Sequence, residues 1–289
     1  MHLFKHGLFL ATFAVSLPAF TCTSDGLEGF LPKNNLKIMV GDKAAGGLSE
    51  KEFNAVIDEI EPIFAPIVKE AGGELKVERL WKDGTVNAYA EREGDIWKVS
   101  MFGGLARHKT ITTDGFSLVL CHEIGHHIGG APQYTADWAS NEGQSDYFAT
   151  LKCLRRVWSS DDNKKIVKAI KDVPATLEKS CAKQWSNENE RALCIRSGMA
   201  GDSVAKLFAS FGYEKPAKFE TPDPKVVKKT DHNHPATQCR LDTYFQGALC
   251  EISYDDNVAE DNEVTGTCHG STGHKIGLRP LCWFKPSVQ

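Results

Sequence analysis

Apolar residues recur at helical spacing in the first third of the chain. Between residues 49 and 72 they repeat every three or four positions, at Phe53, Val56, Ile57, Ile60, Ile63 and Phe64. Ser49, followed by Glu52 three positions later, forms a capping box, which marks the start of a helix. Pro62 and Pro66 lie inside the pattern, so we expect this helix to bend or divide there. Further helices are predicted over residues 114–129, 142–158, 163–172 and 187–211.

Three strand-like runs follow the first predicted helix. They cover residues 75–81, 85–91 and 96–102, and turn residues separate them at Asp83-Gly84 and at Glu93-Gly94-Asp95. Short strands joined by such turns pair as an antiparallel meander. The expected fold class is therefore α+β, with a small antiparallel or mixed sheet beside the helices.

The composition is that of an ordinary globular protein. Of 289 residues, 41% are hydrophobic and 25% are charged, so a sizeable core can form. The formal net charge of -4 creates no basic field, which argues against nucleic acid as a partner. After Phe20 no run approaches the roughly 18 apolar residues of a membrane-spanning helix, so we expect none.

Residues 1–22 have the features of a secretory signal peptide. Lys5 gives the start a positive charge, and residues 7–20 form a short apolar run. The run is too short to cross a membrane, so we expect export to the periplasm or cell envelope, or secretion. Cys22 follows directly, and a lipid anchor on it stays open, although Thr21 is a poor match to the small residue usual before a lipid-modified cysteine.

Nine cysteines in an exported chain predict disulfide bonds. Setting Cys22 aside leaves eight, at positions 121, 153, 181, 194, 239, 250, 268 and 282. Eight cysteines allow about 105 pairings, among which the sequence does not choose. The sequence has no C-x-x-C pair, which argues against a second structural zinc site and against a thioredoxin-like site.

The chemistry of the chain is concentrated in the HExxH pattern His122-Glu123-x-x-His126. Positions i and i+4 of a helix share a face, so both imidazoles can meet one metal ion, and zinc is the ion they favour. Glu123 points about a quarter of a turn away, where it can touch a metal-bound water without ligating the metal. The alternative is a chance match, in which a buried helix carries two hydrogen-bonded histidines.

A third ligand is expected downstream of the histidines. A metzincin would need a histidine at position 132, which is Pro132. Glu142, 16 residues after His126, can supply a carboxylate oxygen and complete a His₂Glu set with an open fourth position. Asp146, one helical turn further on, can accept the N–H of a ligating histidine. Alternatively, both acids belong to a solvated helix start, where acidic residues are favoured.

HExxH followed by Asn-Glu-x-x-Ser-Asp at residues 141–146 resembles the gluzincins, the thermolysin-like zinc peptidases. Two more segments are similar to the M48-type, HtpX-like branch, namely Val86-Asn-Ala-Tyr-Ala90 and His234-Pro235 followed by Arg240. The resemblance covers roughly residues 85–245, with gaps. The chain departs from this branch in lacking membrane-spanning helices and in its Cys-rich ending.

The resemblance implies a zincin-like metallopeptidase domain over residues 23–230, in which an active-site helix and a helical second lobe accompany the sheet. Residues 231–289 would then form a disulfide-stapled, Cys-rich C-terminal extension that completes the active site. In this family the histidine that matches His234 faces the metal-bound oxygen, and the arginine that matches Arg240 lies nearby, outside the ligand set.

The resemblance also implies a substrate cleft. Gluzincins pair the peptide substrate with the strand that borders the cleft, so Asn87, Ala88, Tyr89 and Ala90 would line it. The alternative interpretation of these four residues is a plain hairpin with an edge turn.

We therefore expect a zinc-dependent endopeptidase that acts on proteins or peptides and holds one Zn²⁺. Glu123 would be the general base, His234 an oxyanion donor, and Asp146 the residue that orients a ligating histidine. The alternative is a non-catalytic, zinc-stabilised envelope protein that uses a zincin fold for binding or assembly. Glu123 favours the enzyme, because a purely structural site has no need of an acid beside His122. The protein would contact a membrane only through a lipid anchor on Cys22.

Overall fold

The computed structural model describes residues 29–134, 138–212 and 215–287, and in addition the backbone of residues 19 and 20. The predicted signal peptide otherwise lies outside the described residues, and so does Cys22. The chain is α+β, as predicted. Its strands are β1 (Ala19–Phe20), β2 (Glu74–Leu80), β3 (Ala88–Glu93) and β4 (Ile96–Phe102). Its helices are α1 (Glu50–Glu70), α2 (Gly103–Ala106), α3 (Thr113–Ile128), α4 (Glu142–Phe148), α5 (Leu154–Val157), α6 (Asn163–Ala169), α7 (Ala175–Gln184), α8 (Glu188–Ser210) and α9 (Thr237–Leu249). A π-helical turn, Ala149–Cys153, joins α4 to α5.

The sheet is mixed, with the strand order β1-β3-β4-β2. β4 lies between β2, to which it is parallel, and β3, to which it is antiparallel. The predicted antiparallel pairing is therefore confirmed for β3 and β4, which the turn at Glu93-Gly94-Asp95 joins, and wrong for β2 and β3, which are not neighbours. The turn at Asp83-Gly84 closes no hairpin; the Gly84 carbonyl accepts a hydrogen bond from the Ile38 N–H at 2.8 Å, and the Asp83 carbonyl accepts one from the Gly104 N–H at 2.9 Å. These bonds hold a connection that leads from β2, at one edge of the sheet, past β4 to β3.

The first helix forms where the capping box predicts it. The Ser49 side chain accepts a hydrogen bond from the Glu52 N–H, and Glu52 returns one to the Ser49 backbone. Pro62 and Pro66 lie inside α1, yet the helix runs undivided from Glu50 to Glu70. Its apolar face is buried and packs against α3 and β2. We attribute the continuity to this packing, which offsets the hydrogen bonds that the two prolines cannot donate.

The central helix of the fold is α3. The Thr112 hydroxyl caps its start by accepting a hydrogen bond from the Gly115 N–H at 3.0 Å. Every residue from Gly115 to His127 is buried. Helices α1, α4 and α8 pack around it, and β3 contacts it as well. The HExxH pattern therefore lies in the middle of the protein rather than at its surface.

The C-terminal region contains a helix that the sequence pattern does not predict. The sequence pattern predicts no helix after residue 211, but Thr237–Leu249 forms α9, which packs against α8 and α4. Its buried face includes Arg240, Asp242 and Thr243, and such polar residues obscure the apolar periodicity. Among the described residues, no helix combines the length and the apolar character that a membrane crossing requires.

The eight cysteines outside the N-terminal segment form four disulfide bonds, which confirms the expectation of disulfides. The pairs are Cys121–Cys153, Cys181–Cys194, Cys239–Cys282 and Cys250–Cys268. The first joins the middle of α3 to the π-helical turn that follows α4. The last two join the two ends of α9 to the C-terminal tail, so the tail is fastened to the rest of the fold.

Candidate metal centre

Two elements bring three metal-ligating side chains together. Helix α3 presents His122 and His126 one turn apart, with ring centroids separated by 4.7 Å. Helix α4 begins directly at Glu142, because the Asn141 side chain caps it by accepting from the Gln144 N–H at 2.9 Å. Glu142 Oε2 lies 3.5 Å from His122 Nε2, and Glu142 Oε1 lies 3.6 Å from His126 Nε2. The ligand atoms of these three residues all lie within 4.8 Å of one another.

Hydrogen bonds at the far side of each imidazole fix its orientation. His122 Nδ1 lies 2.7 Å from Asp146 Oδ1, and His126 Nδ1 donates to the Ser140 carbonyl at 2.8 Å. Each Nε2 therefore faces Glu142. Burial lowers the pKa of both imidazoles to about 4, so the neutral form, which can donate a lone pair to a metal, is the stable one.

The atoms that face the centre fit a divalent cation. His122 Nε2, Glu142 Oε2 and both Glu123 carboxylate oxygens are buried, and none of these four atoms makes a hydrogen bond with the described residues. Buried polar atoms in native proteins are normally satisfied, so a group of orphaned ones needs a partner. Two imidazole nitrogens and one carboxylate oxygen are the donor set of a catalytic zinc site. The residues present therefore fit zinc.

A charged pair, Asp146 and Arg240, supports His122 on the side away from Glu142. Arg240 is fully buried and binds Asp146 through two bonds, Nε to Oδ2 at 2.8 Å and Nη2 to Oδ1 at 2.7 Å. The Tyr244 hydroxyl donates to the same Asp146 Oδ1 at 2.8 Å. Burial opposes the charge on Asp146, but Arg240 and His122 outweigh it and lower the pKa of Asp146 to about 2. Asp146 is therefore an anion that can hold the His122 N–H.

Glu123 stands apart from the ligand set. Burial raises the pKa of its carboxyl well above the ordinary range, and the nearby charge of Glu142 raises it further. A cation at the centre would oppose both effects, since an opposite charge favours the ionised form. A carboxyl in this environment is suited to taking up and releasing a proton.

His234 lies at the edge of the centre. Its Nε2 is 3.3 Å from Glu142 Oε2 and 2.8 Å from the Gly29 carbonyl oxygen, to which it can donate. Arg240 Nη2 is 3.7 Å from the same oxygen of Glu142. The residues that the sequence analysis singled out from the last third of the chain, His234 and Arg240, are thus both brought beside Glu142.

The four predicted cleft residues are placed differently from one another. Asn87 and Ala88 form hydrogen bonds with an N-terminal segment, Gly29–Leu31. The Tyr89 ring packs edge-on against Phe102, and Ala90 is buried in β3 opposite Val99. Asn87 and Ala88 therefore contact a segment at the centre, whereas Ala90 lies within the sheet.

Several residues at the centre were not predicted. The Tyr134 hydroxyl donates to Glu142 Oε1 at 3.1 Å, and Phe30 packs edge-on against His122 with ring centroids 4.9 Å apart. Tyr244 was missed because α9 was missed: it lies one helical turn after Arg240, so a helical interpretation of residues 237–249 would have placed both on one face. No local signal in the sequence indicates Tyr134 or Phe30.

Comparison of the chain with protein-family models, with curated proteins and with solved structures gives no match.

Proposed function

We propose that the protein is a zinc-dependent peptidase that hydrolyses peptide bonds in exported or external proteins. The observation that carries this proposal is Glu123. Its carboxylate is buried beside His122 and makes no hydrogen bond with the described residues. A purely structural metal site needs no such acid, and burying one without a partner costs free energy.

The residues divide into ligands and proton carriers. His122, His126 and Glu142 would hold the zinc ion, which when bound lowers the pKa of water and polarises a carbonyl group. Glu123 accepts the proton of the attacking water and passes it to the leaving nitrogen. His234 donates a hydrogen bond to the oxygen that gains charge in the transition state, and losing one such donor costs about 10²–10³ in rate in known enzymes. Asp146 keeps His122 in the tautomer that presents Nε2.

A second candidate function has one observation in its favour. His122, Glu123, His126 and Glu142 are all fully buried, with no exposed surface. A closed centre of this kind also suits a non-catalytic protein in which the metal stabilises a binding or assembly module. Glu123 makes the peptidase the better supported of the two. In either case the four disulfide bonds favour an exported protein in an oxidising compartment.

The test is the substitution Glu123→Gln, which keeps the shape of the side chain and removes the base. We expect one zinc ion per chain in both the wild type and the variant. Hydrolysis of an unstructured protein should fall by about 10²–10⁴ in the variant, the contribution typical of a general base. The matched control is Glu142→Gln, the same chemical change at a proposed ligand, which should lower the zinc content.

Two results would contradict this assignment. Undiminished hydrolysis by Glu123→Gln would exclude Glu123 as the base. An inert wild type that still binds one zinc ion would favour the non-catalytic module if a variant with an uncovered centre is inert as well, and a wild type without zinc would exclude the centre itself.

A further inference from the structure

An N-terminal segment, Gly29–Leu31, lies against the metal centre, and its backbone bends at Phe30 and Leu31. The Phe30 N–H donates to the Ala88 carbonyl at 3.0 Å. The Leu31 N–H donates to Asn87 Oδ1 at 2.9 Å, and the Leu31 carbonyl accepts from Asn87 Nδ2 at 3.0 Å. The segment meets Ala88 before Asn87, so it runs antiparallel to the chain that leads into β3.

Two carbonyl groups of this segment accept hydrogen bonds from residues at the centre. The Phe30 carbonyl accepts a hydrogen bond from Arg240 Nη1 at 3.0 Å. The Gly29 carbonyl accepts from His234 Nε2 at 2.8 Å, and the same nitrogen is 3.3 Å from Glu142 Oε2. The Gly29 carbonyl therefore already accepts a hydrogen bond from His234, the residue that we propose donates to the oxygen that gains charge in the transition state.

The side chain of Phe30 fills a closed aromatic pocket. It is fully buried. The centroid of its ring lies 4.9 Å from the His122 ring centroid and 5.4 Å from the Phe208 ring centroid, and the Arg240 guanidinium carbon lies 4.6 Å from it. Such a pocket recognises a bulky apolar or aromatic side chain, because burying one removes its whole apolar area from water.

The position before Phe30 accepts no side chain. A Cβ atom at Gly29 would collide with the Ala88 carbonyl oxygen and crowd the Tyr89 ring. This close approach is what allows the Gly29 carbonyl to reach His234. The segment therefore has the sequence requirements of a bound peptide: glycine, then an aromatic residue, then a residue held by its backbone.

We propose that residues 29–31 occupy the substrate cleft as an internal peptide ligand. This inference rests on the proposed peptidase function, and it names the substrate class: peptides that carry glycine followed by an aromatic residue, bound antiparallel to Asn87–Ala88. It also accounts for part of the burial of the centre, because Phe30 packs against His122. A tethered ligand has an effective concentration on the order of millimolar, so external peptides compete poorly while it stays in place.

The first experiment displaces the segment in the full-length protein. Gly29→Ala introduces the collision with Ala88, and Gly270→Ala is the matched control, since a Cβ at Gly270 meets nothing within 4 Å. Hydrogen exchange is measured on zinc-free protein with a chelator present. We expect the amides of Phe30 and Leu31 to exchange at least about tenfold faster in Gly29→Ala than in wild type or control.

Asn87→Ala provides a second route to the same readout. It removes both hydrogen bonds to Leu31 without adding bulk, and it replaces Gly29→Ala if that variant fails to show a cooperative unfolding transition. Unchanged exchange at Phe30 and Leu31 in a folded variant would overturn the inference.

The second experiment offers the cleft a separate ligand. The probe is the blocked peptide Glu-Gly-Phe-Leu-Pro, and its control has Ala in place of Phe. Binding is measured by calorimetry on zinc-loaded Glu123→Gln and on Glu123→Gln combined with Gly29→Ala. We expect the Phe peptide to bind the combined variant at least about tenfold more tightly than it binds Glu123→Gln, and at least tenfold more tightly than the Ala peptide does. Equal affinities for the two peptides would contradict the proposal.

The two proposals fail in different ways. If wild type hydrolyses protein and Gly29→Ala changes neither exchange nor peptide binding, the peptidase stands and the internal ligand is refuted. If exchange and peptide binding respond as expected but neither wild type nor Gly29→Ala hydrolyses anything, the cleft binds peptides and the peptidase is refuted.

Discussion

Removing the Arg240 guanidinium should destabilise the fold more than any surface substitution. Arg240 is fully buried and forms two hydrogen bonds with Asp146 and one with the Phe30 carbonyl. Its guanidinium carbon also lies over the rings of Phe30 and Phe208, 4.6 and 4.4 Å from their centroids. The substitution Arg240→Met keeps much of the volume and leaves the Asp146 carboxylate buried without its cation.

The expected loss in the free energy of unfolding is about 3–5 kcal/mol, the cost typical of breaking a buried ion pair from one side. Most of this cost comes from the stranded charge rather than from the lost contacts. The double variant with Arg240→Met and Asp146→Asn should therefore lose less free energy of unfolding than the sum of the losses of the two single variants. The difference, which is the coupling free energy, should be about 2–3 kcal/mol. Asp146→Asn alone should also lower the affinity for zinc by about 10–100-fold.

The assay is urea denaturation followed by circular dichroism, with a chelator present so that metal binding contributes nothing. Arg79→Met is the control: Arg79 binds Asp58 at 2.6 Å and Glu61 at 3.2 Å, but at the surface. Such exposed pairs contribute less than about 1 kcal/mol. A loss below 1 kcal/mol for Arg240→Met, or additive effects of the two substitutions at the centre, would refute the account of Asp146 as an anion held by Arg240.

Two further predictions concern residues outside the proposed ligand set. Burial lowers the pKa of Lys152 to about 8, below its value of about 10.4 in the unfolded chain. Between these two pH values the unfolded chain binds more protons than the folded protein does. The free energy of unfolding should therefore rise with pH across this window by about 3 kcal/mol. Lys152→Met should remove this rise, which is measured as the change in denaturant midpoint between pH 8 and pH 10. The same change in the wild type and in Lys152→Met would contradict the prediction. Gly143→Ala places a Cβ against the Trp283 ring and should cost about 1–3 kcal/mol, whereas Gly270→Ala should change stability by less than about 0.5 kcal/mol in thermal melts.

The parts of the candidate centre that the sequence predicts are those that depend on local spacing. His122 and His126 are four residues apart on one helix, and Glu142 and Asp146 are four residues apart on the next. Helix geometry alone therefore decides which side chains share a face. The capping box at Ser49 is predictable for the same reason, since both of its hydrogen bonds close within four residues.

The features that sequence reasoning missed depend on contacts between distant parts of the chain. The position of β4 between β2 and β3 depends on a connection held by Ile38 and Gly104, which lie outside the turn that suggested a hairpin. The Gly29 carbonyl and His234 are 205 residues apart, and the Phe30 carbonyl and Arg240 are 210 residues apart. No periodicity or motif in one sequence encodes such pairs, because nothing local constrains them.

These long separations also set the order in which the centre can be assembled. His122, His126, Glu142 and Asp146 emerge during synthesis well before α9, which carries Arg240. Until α9 docks, Asp146 lacks its buried cation, and the charge favours a solvated, open arrangement of the ligand helices. Contacts of such high sequence separation form slowly, since the loop entropy must be overcome first. A partly synthesised chain therefore carries the whole HExxH pattern without a finished centre, and under the proposed function it is not yet a peptidase.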